Sequence, residues 1–311
     1  MRSDILILGA SGMLGSMVVD YLSRNKSFHV TATVRTHHYL DKLKATIKEV
    51  DWQLFSVKDN AETVNRFVSL GRFDWIINAI GIIKPYARDD QTAERENAIK
   101  INALFPYWLA TATEKNGSKI LQIATDCVYS GNKGHYVESD KHDALDVYGK
   151  TKSLGESPSD SFHHLRCSIV GPEIKSFLSL QEWFLRQPDN AQVNGYSNHM
   201  WNGLTTLHFA KICEGIITSG ISLPKLQHII PSGEISKNSL LNKYASVYER
   251  QDIQITAIEA PTIIDRTLKT ENHLENTSLW KVAGYPGNPP TVEEMVEELG
   301  AFNFRLKEVL L

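Results

Sequence analysis

Tyr148 and Lys152 stand four residues apart in Asp146-Val147-Tyr148-Gly149-Lys150-Thr151-Lys152, a spacing that puts a phenol and an amine on one face of a helix. A free phenol titrates near pH ~10, too high for ready proton exchange at neutral pH. An ammonium beside it favours the phenolate and would lower that value. Lys150 shares the segment but lies off that face. Upstream, Thr125 closes the apolar run Ile120-Ala124. A hydroxyl at the C-terminal end of a buried parallel strand faces the crevice where open α/β sheets bind ligands. Together the three groups could hold a reacting oxygen and move a proton to or from it.

Such chemistry needs a scaffold, and the sequence supplies one. Ile5-Leu8, His29-Val34, Trp52-Val57, Trp75-Ile80, Ile120-Ala124 and Leu165-Val170 read as buried strands. They are rich in Ile, Val and Leu with little alternation, as expected where helices cover both faces of a sheet. Met13-Lys26, Asn60-Leu70, Glu94-Asn116 and Tyr148-Glu156 read as helices between them, with a poorer one around Thr36-Lys48. The expectation is α/β: a doubly wound parallel (Rossmann) sheet with a smaller, mainly C-terminal substrate lobe. Residues 1–170 would form the first domain, with 204–235 packing back on it, and 171–203 and 236–311 the lobe. Beyond Gly171-Pro172, Phe177-Arg186 and Thr206-Ser219 read as helices, Gln187-Gly203 as a polar loop and His228-Ile230 as a strand. The cleft between the lobes is the expected ligand site.

The first strand runs straight into Gly9-Ala10-Ser11-Gly12-Met13-Leu14-Gly15. Gly9 permits the tight turn, Gly12 lets a pyrophosphate reach the backbone, and Gly15 lets helix and strand pack closely. Strand before and helix after make this a dinucleotide loop. Its GxxGxxG spacing resembles the short-chain dehydrogenase/reductase superfamily. Where NAD-preferring proteins place an acid, after the second strand, this chain has Thr33-Val34-Arg35. A guanidinium there would pair with a 2′-phosphate, so NADP(H) is the expected cofactor. The third strand ends in Ser56-Val57-Lys58-Asp59; relatives commonly carry aspartate at the place of Ser56, and Ser56 or Asp59 would contact the adenine instead.

The runs Thr125-Asp126-Cys127-Val128-Tyr129, Gly134-His135-Tyr136-Val137-Glu138 and Val147-Tyr148-Gly149-Lys150-Thr151-Lys152-Ser153-Leu154-Gly155-Glu156 make the resemblance specific. They are similar to the patterns S-T-D-Y-V-F, G-x-Y-x-E and V-Y-G-x-T-K-x-x-G-E of the dTDP-4-dehydrorhamnose reductase family of extended short-chain dehydrogenases/reductases. Asn78-Ala79 and Asn102 fit as well. The resemblance implies an oxidoreductase in which NADPH delivers hydride to the C4 ketone of a nucleotide-linked deoxysugar. It implies Thr125, Tyr148 and Lys152 as the catalytic triad, and Gly9, Ser11, Gly12, Met13, Leu14, Gly15, Arg35, Ser56, Val57, Asn78 and Ala79 as further cofactor contacts. Lys84, Asp126, Cys127, His199, Trp201 and Asn202 are candidate substrate contacts. The family's tryptophan after Arg-x-Ser is replaced by Ile169, and the loop Asn198-His199-Met200-Trp201-Asn202 would compensate.

Dehydratases of the superfamily carry T-D-E where this chain has Cys127, which disfavours dehydration. Two alternatives stay open: an epimerase or epimerase-reductase using the Cys127 thiol, and a non-catalytic NADP(H)-binding regulatory module. The formal net charge of -3 gives no reason to expect nucleic acid as partner. No apolar run approaches a membrane span, and Arg2, Asp4 and a short apolar run predict no signal peptide. The three cysteines, odd in number and without CxxC spacing, fit a reducing cytoplasm and no structural zinc. Neither His37-His38 nor His163-His164 has metal spacing. A homodimer is the one protein assembly left open.

Overall fold

Seven parallel strands form the central sheet of the computed structural model, which describes every residue except Met1, Lys58, Asp59, Lys115, Glu308, Leu310 and Leu311. The first half alternates β1 (Ser3–Leu8), α1 (Met13–Leu22), β2 (Phe28–Val34), α2 (His37–Thr46), β3 (Asp51–Leu54), α3 (Ala61–Gly71), β4 (Trp75–Asn78), α4 (Thr92–Ala98), α5 (Phe105–Thr113), β5 (Lys119–Ala124), α6 (Val147–Leu154) and β6 (Phe162–Arg166). The second half holds β7 (Ile169–Val170), α7 (Leu180–Leu185), β8 (Gln192–Tyr196), β9 (Met200–Trp201), β10 (Leu204–Thr205), α8 (Thr206–Ser219), β11 (Leu226–His228), β12 (Ile235–Ser236), α9 (Lys237–Val247), β13 (Gln254–Ile258), α10 (His273–Val282) and α11 (Val292–Ala301). The sheet order is β11-β6-β5-β4-β1-β2-β3, every pair parallel. This is the doubly wound sheet expected, with its strand order reversing beside β1.

Burial on both sides explains the apolar strands. Along β1, Ile5 and Ile7 join the core under α1 and α8, whereas Leu6 and Leu8 join Val64, Val68, Phe105 and Leu109 under α3 and α5. Successive side chains point to opposite faces, so a strand covered twice must be apolar throughout. The 204–235 stretch contributes α8, packed on α1, and β11, which extends the sheet beyond β6.

Several local expectations are corrected. The third strand stops at Leu54, leaving Ser56 and Val57 in the following loop, and Asp59 lies outside the described residues. The expected helix from Glu94 to Asn116 is interrupted by a π-helical stretch, Ile99–Leu104. Pro106 has no N–H to give the Asn102 carbonyl, so regular i to i−4 bonding fails there. The expected strand Leu165-Val170 splits: β6 ends at Arg166, and β7 pairs with β10 outside the main sheet. Within the expected polar loop 187–203, β8 pairs in parallel with β13 and β9 pairs antiparallel with β12. Their partners lie far along the chain, where local periodicity gives no signal.

One long-range tie reaches the glycine helix. Asp20 of α1 is fully buried and takes hydrogen bonds from the backbone N–H (2.8 Å) and Nε (2.6 Å) of Arg305, and from Arg24. Among the described residues, no helix is long and apolar enough to cross a membrane.

Candidate active site

The glycine loop and the Tyr148 segment meet at the same edge of the sheet, because the register aligns Leu8 with Asn78 and Asn78 with Gln122. The C-terminal ends of β1, β4 and β5 therefore lie side by side, and the residues that follow them line one crevice. Thr33 pins the loop on the other flank: its hydroxyl accepts from the Gly9 N–H (3.2 Å) and its carbonyl from the Ala10 N–H (2.9 Å). Gly9 adopts φ 84°, open to glycine. A Cβ on Gly15 would stand 2.3 Å from the Gly9 carbonyl oxygen, so α1 comes this close to the loop only as glycine. Gly12 is the N-cap of α1, followed by Met13 and the buried Leu14. Ser11 is buried beside it, and Arg35 is exposed just beyond β2.

Asn78 is buried, donating to the Gln122 side chain (2.7 Å) and accepting from the Ile80 N–H (3.0 Å). That arrangement fixes Ala79, whose carbonyl lies against Gly9.

Asp146 starts α6: its carboxylate caps the helix at the Gly149 N–H (2.8 Å) and pairs with Lys84 (2.9 Å). Two residues after this cap, the half-buried Tyr148 is placed so that its phenol feels Thr125, Cys127 and Asp126. Thr125 in turn accepts from the Cys127 N–H (3.1 Å) and donates to Asp126 (3.2 Å). Lys152, one turn further on, donates to the Ile123 carbonyl (3.3 Å). The triad therefore gathers around the end of β5.

The electrostatics differ from the expectation in one respect. Burial pushes the Tyr148 phenol up, with Cys127 acting in the same direction, and the Thr125 hydrogen bond only partly opposes this. Lys152 is not among the groups that act most on the phenol; its own amine is lowered to about 8, by burial first, with Glu156 opposing. At neutral pH the phenol is protonated and the amine charged. Asp126 is also shifted up by burial, against the pull of Arg266.

Cys127 is half-exposed at its surface, yet its thiol is pushed up to about 12 by burial and by Asp126. A thiolate is correspondingly scarce at pH 7, which disfavours it as a base.

The loop residues behave differently from the triad. Both amide atoms of Asn202 bond the Leu268 backbone (2.7 and 3.0 Å), and His199 bonds the Thr262 carbonyl (3.0 Å). These side chains join the 262–268 stretch to the residues flanking β9. The Trp201 indole donates to the Ser168 hydroxyl (2.8 Å) and packs over Gly203. An aromatic ring thus reaches the neighbourhood of β7 from elsewhere in the chain, while Ile169 occupies the position after Ser168.

Three cations near the crevice were not singled out by spacing. Lys237, at the start of α9, feels Arg266, Asp126 and Cys127 and has its amine lowered, by burial first. Arg266 donates to the carbonyls of Tyr129 (2.8 Å) and Ser130 (3.1 Å). Lys175 reaches Ser11 in the glycine loop. Only the fold brings them here, and no local motif marks them.

Over 154 residues the chain is 33% identical to dTDP-4-dehydrorhamnose reductase of Aggregatibacter actinomycetemcomitans, covering 49% of this chain and 45% of that one. The Streptomyces griseus protein of the same name is 31% identical over 156 residues, 50% of this chain and 44% of that one. The matched region thus spans about half the length of these curated relatives. Among solved structures, the Bacillus anthracis dTDP-4-dehydrorhamnose reductase in complex with NADP superimposes with a TM-score of 0.70 at 19% identity, covering 96% of this chain and 99% of that one. That likeness speaks for the fold. The sequence model of the RmlD substrate binding domain matches residues 1–170, more than half of the 311, and the chain belongs to that family.

Proposed function

We propose that this chain is an NADPH-dependent oxidoreductase that reduces the 4-keto group of a nucleotide-linked deoxysugar, in keeping with its relatives named dTDP-4-dehydrorhamnose reductase. The observation that carries the reading is the convergence of Thr125, Tyr148 and Lys152 at the end of β5, on the sheet edge that also carries the glycine loop. The residues fit the cofactor. The loop admits no Cβ at Gly15, and Arg35 stands after β2 with no ion pair among the described residues. Gly9, Ser11, Gly12, Met13, Leu14 and Gly15 would hold the dinucleotide, with Arg35, Ser56, Val57, Asn78 and Ala79 around its adenosine and ribose ends. When bound, NADPH supplies hydride.

The protein's own groups do the rest. Thr125 holds the substrate oxygen by a hydrogen bond. Tyr148, kept protonated by burial, donates its proton to that oxygen. Lys152, fixed to the Ile123 carbonyl, places a positive charge on the same helix face and favours the phenolate left behind. Lys237 and Arg266 bring positive charge to the Asp126 side of the crevice, which suits the diphosphate of a nucleotide sugar. The lobe formed by residues 171–203 and 236–311 would carry the sugar end, and a cytoplasmic setting goes with this chemistry.

The test is a panel of nucleotide-linked 4-ketosugars with NADPH oxidation as readout. Turnover of at least one is expected, and none on any member, with NADPH bound, would remove the reading. The thiol argument gives a second expectation. Cys127→Ser keeps the reduction rate within about 3-fold, and no solvent deuterium enters the carbons beside the ketone; thiol-dependent deuterium entry would restore the epimerase alternative. A purely cofactor-binding module would have no need of all three triad groups.

A further inference from the structure

Beyond β7 the chain doubles back over the glycine loop in a strained turn. Ser176 and Phe177 take φ 69° and 52°, two consecutive non-glycine residues in the left-handed region. Glu173 holds the turn, its carboxylate accepting from the backbone N–H groups of Leu178 and Ser179, and the Phe177 ring lies 3.4 Å from the Arg186 guanidinium carbon. The turn aims Lys175 at the dinucleotide loop. Its Nζ donates to the Ser11 hydroxyl (2.7 Å) and sits 4.5 Å from the centre of the Tyr39 ring on α2.

This is a costly place for an ammonium. Burial and the neighbouring Arg35 guanidinium lower the Lys175 amine to about 8. Glu173, the acid that opposes this, has its carboxylate turned to the backbone. Among the described residues neither Lys175 nor Arg35 forms an ion pair. Lys175 thus stands beside a buried hydroxyl and within reach of the Arg35 charge, and among the described residues no carboxylate pairs with either cation; a dianion is what such a pair is short of.

We propose that Lys175 is the second cation of a clamp which, with Arg35 and Ser11, recognises the 2′-phosphate on the adenosine ribose of NADP(H). The inference rests on the reductase reading and adds a specificity residue supplied from beyond the first 170 residues. The location selects the 2′-phosphate over the pyrophosphate. Arg35 directly follows β2, where this fold places the ribose hydroxyls, and Lys175 rests on the Tyr39 ring of the next helix and feels the Arg35 charge, which sets its amine on the ribose side of Ser11 rather than on the pyrophosphate side at the N-terminus of α1. A phosphate monoester also carries close to two negative charges at neutral pH.

Lys175→Met tests this through equilibrium binding of NADPH, NADH, adenosine 2′,5′-bisphosphate and ADP to the full chain. The expected result is about 10- to 100-fold weaker binding of NADPH and the 2′,5′-bisphosphate, with NADH and ADP within about 3-fold. Lys175→Arg, which keeps the charge, retains most of the affinity and guards against a variant that misfolds. Unchanged NADPH binding in Lys175→Met would overturn the proposal, as would equal loss of NADPH and NADH, which would place the amine on the pyrophosphate. An Arg35→Asp control separates the two levels. If it lowers the NADPH preference while Lys175→Met does not, the clamp fails and the reductase reading stands; if the unaltered chain binds no NADPH, the reading itself fails.

Discussion

Tyr148→Phe is expected to lower ketone reduction by about 10²–10⁴-fold, the range for loss of a positioned proton donor. The change removes one oxygen from a half-buried ring and leaves the ring's packing in place. It takes away the proton that burial keeps on the phenol. The glycine loop, Arg35 and Lys175 are untouched, so NADPH affinity should stay within about 3-fold. Steady-state rates together with a fluorescence titration of NADPH decide the matter. Parallel loss of rate and cofactor binding would make Tyr148 a structural residue, and a rate within 10-fold would assign the proton to another group.

The second large effect concerns stability. Arg166, at the end of β6, is fully buried; its guanidinium pairs with Glu156 and bonds the Tyr129 hydroxyl (2.7 Å) and the rings of His142 (2.9 Å) and His228 (3.0 Å). Glu156 lies four residues beyond Lys152, just past the end of α6, and is the group that most opposes the lowering of its amine. Arg166→Met leaves Glu156 and three polar rings without their shared donor. A loss of about 3–5 kcal/mol is expected, as for breaking one side of a buried pair, with a fall in Tm on the order of 10 °C. Removing both charges in Arg166→Met/Glu156→Leu should recover part of that loss, since the desolvation cost goes with them. Urea unfolding checks both, and a single-variant loss below about 1 kcal/mol would mean that water already serves this cluster.

What could be read before the structure was what neighbours in sequence determine. The glycine loop declares itself because turn, helix start and close approach fall within seven residues. Tyr148 and Lys152 do so because one helical turn is a local distance. Apolar strands are legible because burial on both faces leaves no room for alternation. The π-helical stretch was harder, although Pro106 marks it: a helix that must skip one N–H while Asn102 bonds the Ile82 backbone has few other solutions. Strands β8 and β13 pair across some sixty residues, and neither is apolar enough to announce itself. His199 and Asn202 looked like ligands because polar side chains in a loop usually face solvent or substrate. Here their side chains also hydrogen-bond the backbone of the 262–268 stretch. Lys175, Lys237 and Arg266 carry no motif, and only tertiary placement sets them apart from other surface cations.

The tie between Asp20 and Arg305 has a bearing on how the molecule is made. A ribosome delivers the glycine helix together with Arg24, which pairs with its enclosed carboxylate, whereas the second guanidinium, that of Arg305, emerges 285 residues after Asp20. Until then Arg24 alone answers the Asp20 charge, and the positions that the Arg305 backbone N–H and Nε later fill are left to water. Full enclosure of that carboxylate therefore waits until residue 305 has been made and has come back to the glycine helix.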